Sequence, residues 1–328
     1  MKKFLKMINL QLFAENTNTT LSEGLSVENK TYYDKNLIRL AQPNLIHDQF
    51  AQKKPIPKNG GKTIEFRQFA SLPKATTPLT EGVTPDGKSL NATSITAEIA
   101  QYGDYVTMSD MLDLTAIDPV VVEAVQAIGN QAGLTLDTIT RNVLQSGTNV
   151  YYCPKADGTA VTSRAALDDT CLLTVGVVQE IAALLKSVNA PKIDGSYVAI
   201  VHPFVAADIM KDPQWIDAHK YKNPENIYEG ELGKIAGVRF IESSEAKVYA
   251  NGVFGCLFLG ANAYGVTEIE GGGLETIIKQ LGSSGVADAL NQRSSVGWKA
   301  TKTAEILIDA YMYRVECKSS LSGKAKEN

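Results

Sequence analysis

The chain has 328 residues, 44% of them apolar and 21% charged, with a formal net charge of −4. That length and balance fit a soluble globular protein with a full core and two domains. They argue against a dedicated nucleic-acid binder, which would carry a basic excess or stripe, and no run approaches the 18 apolar residues a membrane span needs.

Met1 to Leu10 mimics a secretory signal, but Lys6 and Asn9 interrupt its apolar stretch and no A-x-A site follows, so it reads as a mobile arm. Residues 14 to 35, rich in Asn, Thr, Ser and Glu, extend that arm, which orders only against another surface. A short helix is expected around Tyr33 to Ala51, with Leu37, Leu40, Leu45 and Ile46 as contacts and Pro43 breaking its pattern.

Lys53 to Ser109 reads as a long two-stranded hairpin. Thr63-Ile64-Glu65-Phe66-Arg67 alternates polar and apolar residues, Ser94 to Ile99 does so on the return, and Tyr105-Val106-Thr107 extends it. About 25 residues of Thr, Pro, Gly, Ser and Lys lie between, with too little apolar material to fold back on their own domain. A two-stranded hairpin is marginal alone in water, so it should lie on a neighbouring subunit.

Within the tip, Gly82-Val83-Thr84-Pro85-Asp86-Gly87-Lys88-Ser89 matches the phosphate-loop pattern G-x-x-x-x-G-K-[ST]. That chemistry needs a buried strand before the loop and a helix after it, whose first amides hold the phosphates. Neither flank has the required pattern and Pro85-Asp86-Gly87 is a turn signature, so the match reads as a loop tip.

Asp118 to Gly147 reads as one long helix and organises the rest. Asp118 is the expected N-cap and Pro119 the first helical residue; Val121, Val125, Ile128, Ala132, Leu136, Ile139 and Val143 form one stripe, and Gly147 closes it. Gly129 and Gly133 inside leave open two helices broken near Gly133.

A second domain opens after a loop over Gly147 to Thr170. Val175 to Val188 is an amphipathic helix, Tyr197 to Val201 a buried strand, and Phe204 to Met210 a helix carried on towards Trp215. Tyr221 to Gly230 is a surface loop. Ile235 to Ile241 and Val253 to Leu259 are strands, Gly271 to Gly273 a hinge, and Glu275 to Gln280 a further strand. Val296 to Cys317 is a strand pair or one long strand, followed by a small polar tail.

No catalytic set emerges. His47, His202 and His219 sit in different segments without a nucleophile motif or metal-ligand spacing, and His202, closing a buried strand, reads as structural. The pairs Asp168-Asp169 and Glu242/Glu245 read as solvated charge, and Trp215 and Trp298 as core or interface anchors. Cys153, Cys171, Cys256 and Cys317 have no CxxC or Cys/His framing, so they read as reduced and structural, with no metal or cofactor.

Several stretches have familiar wording: Asn9-Leu10-Gln11-Leu12-Phe13-Ala14, Glu231 to Ser243, Gly260-Ala261-Asn262-Ala263-Tyr264-Gly265 and Val296-Gly297-Trp298-Lys299. In their order, with the arm, hairpin and long helix, they resemble the major capsid proteins of tailed bacteriophages with the Hong Kong 97-type fold, over nearly the whole chain. The resemblance implies an α+β protein and four parts: an arm and short helix (1–52), an extended loop (53–109), a peripheral domain (110–169 and 296–328) with spine helix 118–147, and an axial domain (170–295). It implies a structural protein, not an enzyme, whose copies close into hexamers and pentamers of an icosahedral shell around double-stranded phage DNA. Inter-subunit contact would fall on Lys62, Glu65, Arg67, Lys74, Glu81, Asp86 and Lys88 of the extended loop. Implied partners are a separate scaffolding protein, a portal, non-specifically held DNA and a decoration protein, with assembly in the host cytoplasm and no membrane. No set matches the family members that crosslink Lys to Asn. The alternatives are a bacterial nanocompartment shell, a phosphate-loop nucleotide enzyme built on Lys88, and a soluble adhesin or tail component.

Overall fold

The computed structural model describes residues 17–18, 46–69, 72–84, 86–116, 120–222, 233–267, 269, 274–283 and 288–328. In chain order come β1 (Thr17–Asn18), β2 (Gln52–Lys53), β3 (Thr63–Phe69), β4 (Ala92–Glu98), β5 (Ala100–Ser109), α1 (Asp110–Thr115) and α2 (Val120–Leu144). Then follow β6 (Val150–Tyr152), α3 (Val175–Ser187), β7 (Tyr197–Val201), α4 (Pro203–Ile209), α5 (Pro213–Lys222), β8 (Lys234–Ile235) and β9 (Val238–Glu242). The last are β10 (Lys247–Tyr249), β11 (Val253–Leu259), β12 (Tyr264–Thr267), β13 (Glu275–Lys279), β14 (Arg293–Ile306) and β15 (Met312–Cys317). Expectations for the arm apart from Thr17–Asn18, for most of the Tyr33–Ala51 helix, for Asp118 and Pro119, for the loop after Lys222 and for Gly271 to Gly273 lie outside the described residues. Among the described residues, no helix is long and apolar enough to cross a membrane.

The chain forms two compact units: residues 1–46, 101–137 and 272–301, and residues 47–100, 138–271 and 302–328. In the first, β13 pairs antiparallel with the early part of β14, from Glu275 opposite Lys299 to Lys279 opposite Ser295. Val296, Trp298 and Ala300 are buried from this strand, as are Met108 and Leu112. Backbones approach closely here: a Cβ on Gly103 would meet the Trp298 carbonyl oxygen at 2.6 Å, so only glycine fits. Gln131 ties the layer together, donating from Nε2 to Asp104 (2.7 Å) while its Oε1 accepts from Trp298 Nε1 (3.4 Å).

The second unit holds a sheet in the order β6-β15-β11-β7-β9-β8, with β10 also paired to β11. The central strands β7 and β11 are buried at every position, as a two-sided sheet requires. Helix α3 lays Val175, Val178, Ile181, Ala182 and Leu185 into this core. Its N-terminus is capped by Thr174, whose hydroxyl accepts from the Val177 amide. His202 caps α4 in the same way, Nδ1 accepting from the Phe204 amide at 3.1 Å, with Pro203 at the first helical position.

Six sequence expectations need correction. Tyr105 to Thr107 does not extend the hairpin: it belongs to β5, beside β14. Helix α2 ends at Leu144, and Gly147 keeps a negative φ; a Cβ there would meet Asp309 Oδ1 at 3.0 Å, so close packing is its role rather than capping. The helix from Phe204 stops at Ile209, and α5 starts afresh at Pro213, with Asp212 accepting the Gln214 amide. Ile235 to Ile241 is a hairpin: Ala236 and Gly237 both take positive φ (53° and 85°), the backbone of a tight two-residue turn. Val296 to Cys317 is neither one strand nor a mutual pair, because β14 bonds to β12 and β13 whereas β15 bonds to β11 and β6. In addition, His47 to Phe50 form a turn rather than helix.

Candidate assembly surface

The hairpin β3–β4 is built from alternation. Thr63 to Phe69 pairs antiparallel with Ala92 to Glu98, Thr63 opposite Glu98 and Phe69 opposite Ala92. At its root, Ile64, Phe66, Ala97 and Ile99 point inward and form a small core with Ile56, against which Ile269 and Leu307 pack. A Cβ on Gly265 would come within 3.0 Å of the Phe66 ring, so β12 is a flat seat for that side chain. The Ile99 amide closes the root on the Lys62 carbonyl at 2.9 Å.

Burial fades along the hairpin, and every described residue from Arg67 to Ser94 is exposed. The seven sequence-predicted contact residues, Lys62, Glu65, Arg67, Lys74, Glu81, Asp86 and Lys88, all lie on this surface. The structure brings Glu65 and Arg67 together, two positions apart on the outward face, at 3.1 Å. The hydrogen bond from Arg67, with a further one from Ser94, holds the Glu65 carboxyl below its ordinary range. Gly82 to Ser89 is irregular loop at its described positions, and strand β4 follows it rather than the helix a phosphate loop requires. As expected, the tip does not fold back on its own domain: Phe69, Leu72, Leu79, Val83 and Leu90 are 54–77% exposed. They were readable as letters; only the structure shows that none turns inward.

The first unit exposes large apolar side chains too, among them Tyr105, Met111, Leu114, Ile278 and Leu290. A single chain that leaves this much apolar surface wet is built for association.

The polar interior is structural. Glu316 is fully buried and held by both nitrogens of the Arg164 fork (2.6 Å each), with Arg314 Nε at 3.0 Å. Arg164 lies 3.5 Å over the Tyr249 ring. Asp48 accepts from Thr140 and Lys302, each at 2.5 Å. Burial pushes the Asp208 carboxyl up, but hydrogen bonds from Ser319, Ser320 and Lys211 outweigh it and leave the group low. Asp168 and Asp169 keep solvent-facing side chains, 44% and 85% exposed, as expected, and pair at the surface with Lys155 (2.9 Å) and Lys318 (3.1 Å). Among the described residues, no group of His, Cys, Asp and Glu could hold a metal ion.

A family model described as phage capsid protein matches residues 92–310, most of the chain. The chain belongs to the phage capsid protein family. Its fold is also that of solved phage capsids. The capsid of cyanophage P-SCSP1u superposes with a TM-score of 0.69 at 14% identity, covering 95% of this chain and 100% of that one. The cyanophage Pam1 capsid gives 0.70 at 14% identity, covering 90% and 98%. The capsid of Helicobacter pylori phage KHP30 gives 0.57 at 13%, covering 96% and 100%. No curated protein matches in sequence. This capsid protein is therefore a structural subunit of a phage capsid, with mixed α and β structure.

Proposed function

We propose that copies of this capsid protein close head-to-tail into five- and six-fold rings that tile an icosahedral shell around double-stranded DNA. Its work is mechanical, and no catalytic step belongs to it. In the Hong Kong 97-type layout, the β3–β4 hairpin is the extended loop and 1–52 the arm. The expected split into 110–169 with 296–328 and 170–295 does not follow the fold, since β6 and β15 pair into one sheet with β7 and β11, so 101–137 with 272–301 serve as the peripheral part. Assembly takes place in the host cytoplasm with a separate scaffolding protein and a portal, a decoration protein joining the finished virion. The inner surface touches DNA through few contacts, in keeping with the −4 net charge, since a strongly basic lining would hold the genome against packaging.

The hairpin tip lies across the spine helix of the neighbouring copy, with Lys62, Glu65, Arg67, Lys74, Glu81, Asp86 and Lys88 at or near the contact. One observation carries this reading: in a shell-forming family, the tip bears five large apolar side chains that its own fold leaves exposed. Two-stranded hairpins are marginal alone, and burial on a neighbour supplies the missing contacts. Deleting Lys74 to Ala92 should give folded monomers that no longer form rings or shells, read by sedimentation and negative-stain electron microscopy. Intact shells from the deletion would overturn the assignment.

A further inference from the structure

Four thiols are free and buried, and three of them converge on β15. The β11–β15 register sets Phe254 opposite Cys317 and Cys256 opposite Val315. Cys256 and Cys317 are thus diagonal neighbours on one face of the sheet. Their sulfurs are 3.9 Å apart, although the residues stand 61 positions apart in the chain. On the other side of β15, the Cys153 amide donates to the Glu316 carbonyl (3.0 Å), which brings Cys153 beside Cys317. Cys171 stands apart from the trio, its sulfur facing Asp168 Oδ1 at 3.4 Å.

We propose that Cys256 and Cys317 form an oxidation site at which hydrogen peroxide converts the two thiols into a disulfide stapling β11 to β15. One sulfur, deprotonated, attacks the peroxide oxygen; the O–O bond breaks, giving a sulfenic acid and one water. The second sulfur then displaces the sulfenic hydroxyl as another water, so two thiols and one peroxide yield one disulfide and two waters. The sulfurs must close from 3.9 Å to about 2.05 Å, within reach of side-chain rotation and a small strand shift.

Timing follows from the surroundings. Cys256 and Cys317 are 1% and 0% exposed. Each thiol sits well above its ordinary pKa, Cys256 through its contact with Cys317 and Cys317 through its contact with Cys153, burial adding to both. Little thiolate is present, so the reaction is slow and proceeds as the strands breathe. Inside a reducing cell the pair stays open; outside, the staple closes and lowers the chain entropy of the unfolded state. Its usefulness, stabilising a subunit after the shell has left the cell, rests on the proposed function; its chemistry does not.

The test is a disulfide map of the full-length protein after incubation with millimolar hydrogen peroxide and alkylation under denaturing conditions. The expected product is a peptide pair joining Cys256 to Cys317, lighter by two hydrogens and lost on reduction with dithiothreitol. The thermal midpoint should rise by roughly 5–10 °C and fall back on reduction. Four alkylated thiols, sulfinic and sulfonic acids alone, or a predominant Cys153–Cys317 link would each overturn the proposal. Cys171→Ala should keep the link and Cys256→Ala should lose it; if the latter fails to fold, the wild-type map still decides. The map needs no assembled shell, so failure of the link and failure of shell formation are separate results.

Discussion

Glu316 shows how much of this molecule rests on single long-range pairings. It sits at zero exposure between Arg164 and Arg314, and Arg164 reaches it from 152 positions away. Stranding a buried charge costs about 3–5 kcal/mol. Arg164→Ala leaves Glu316 with Arg314 at 3.0 Å, so it should lower the urea midpoint by less than that cost implies, whereas Glu316→Leu, which leaves the largely buried Arg314 without its carboxylate, should lower it more. His202 makes a pH prediction. Burial pushes its imidazole below the ordinary 6.5. Between the lowered folded pKa and 6.5 the unfolded chain binds more protons, so stability rises with pH through that window and is lost as pH falls below 6.5. His202→Asn, which keeps a capping side chain, should flatten that part of a stability-versus-pH curve measured by denaturant unfolding. The sequence suggested a structural His202, since it follows a buried strand and precedes Pro203. It held no hint of the Glu316 pairing, because charge partners that far apart leave no periodic trace.

At the scale of elements, the hairpin and the long helix carry different lessons. The hairpin's strands were legible from alternation, and its root obeys that pattern at Ile64, Phe66, Ala97 and Ile99. Its attachment depends on a small residue opposite: Gly265→Val would drive a branched side chain into the Phe66 ring and loosen the root. Hydrogen exchange over Thr63–Phe69 and Ala92–Glu98 should then quicken, while β7 and β11 stay protected. In α2, Ile128, Ala132 and Leu136 are buried as the stripe requires. Further on the pattern fails: Asp137, Thr140, Arg141 and Gln145 are buried while Ile139 and Val143 are only half-buried. Polar groups win there because they are satisfied, Thr140 by Asp48, Arg141 by the Glu245 carbonyl (2.8 Å) and Gln145 by the Gly255 carbonyl (2.8 Å). Hydropathy counts such residues as solvent-facing and so misplaces the face.

For the whole molecule, the consequences are those of association. Leu79→Ser, Val83→Ser and Leu90→Ser combined remove apolar surface that the isolated chain leaves in water. They should abolish ring and shell formation while shifting the monomer's thermal midpoint by less than about 2 °C, since exposed substitutions cost little. Sedimentation velocity beside a melting curve separates the two effects. Lys88 offers a complementary check. Millimolar ATP should leave the thermal midpoint unchanged in both wild type and Lys88→Ala, because the loop ahead of β4 supplies no helix amides to a phosphate.

What the sequence by itself determined is local and ordinal: alternation marked β3 and β4, apolar runs marked β7 and β11, helical spacing marked α2 and α3, and the order of these parts pointed to a capsid subunit. Those signals survive in one dimension because strand and helix periods depend on near neighbours. Only the tertiary structure decided that β14 and β15 part company, that α4 and α5 are separate, and which polar residues of α2 are buried. It alone showed five apolar side chains of the tip left in water and two thiols set diagonally across β11 and β15. Each of these depends on which distant strand or side chain arrives alongside, and burial is a property of that arrival rather than of the residue.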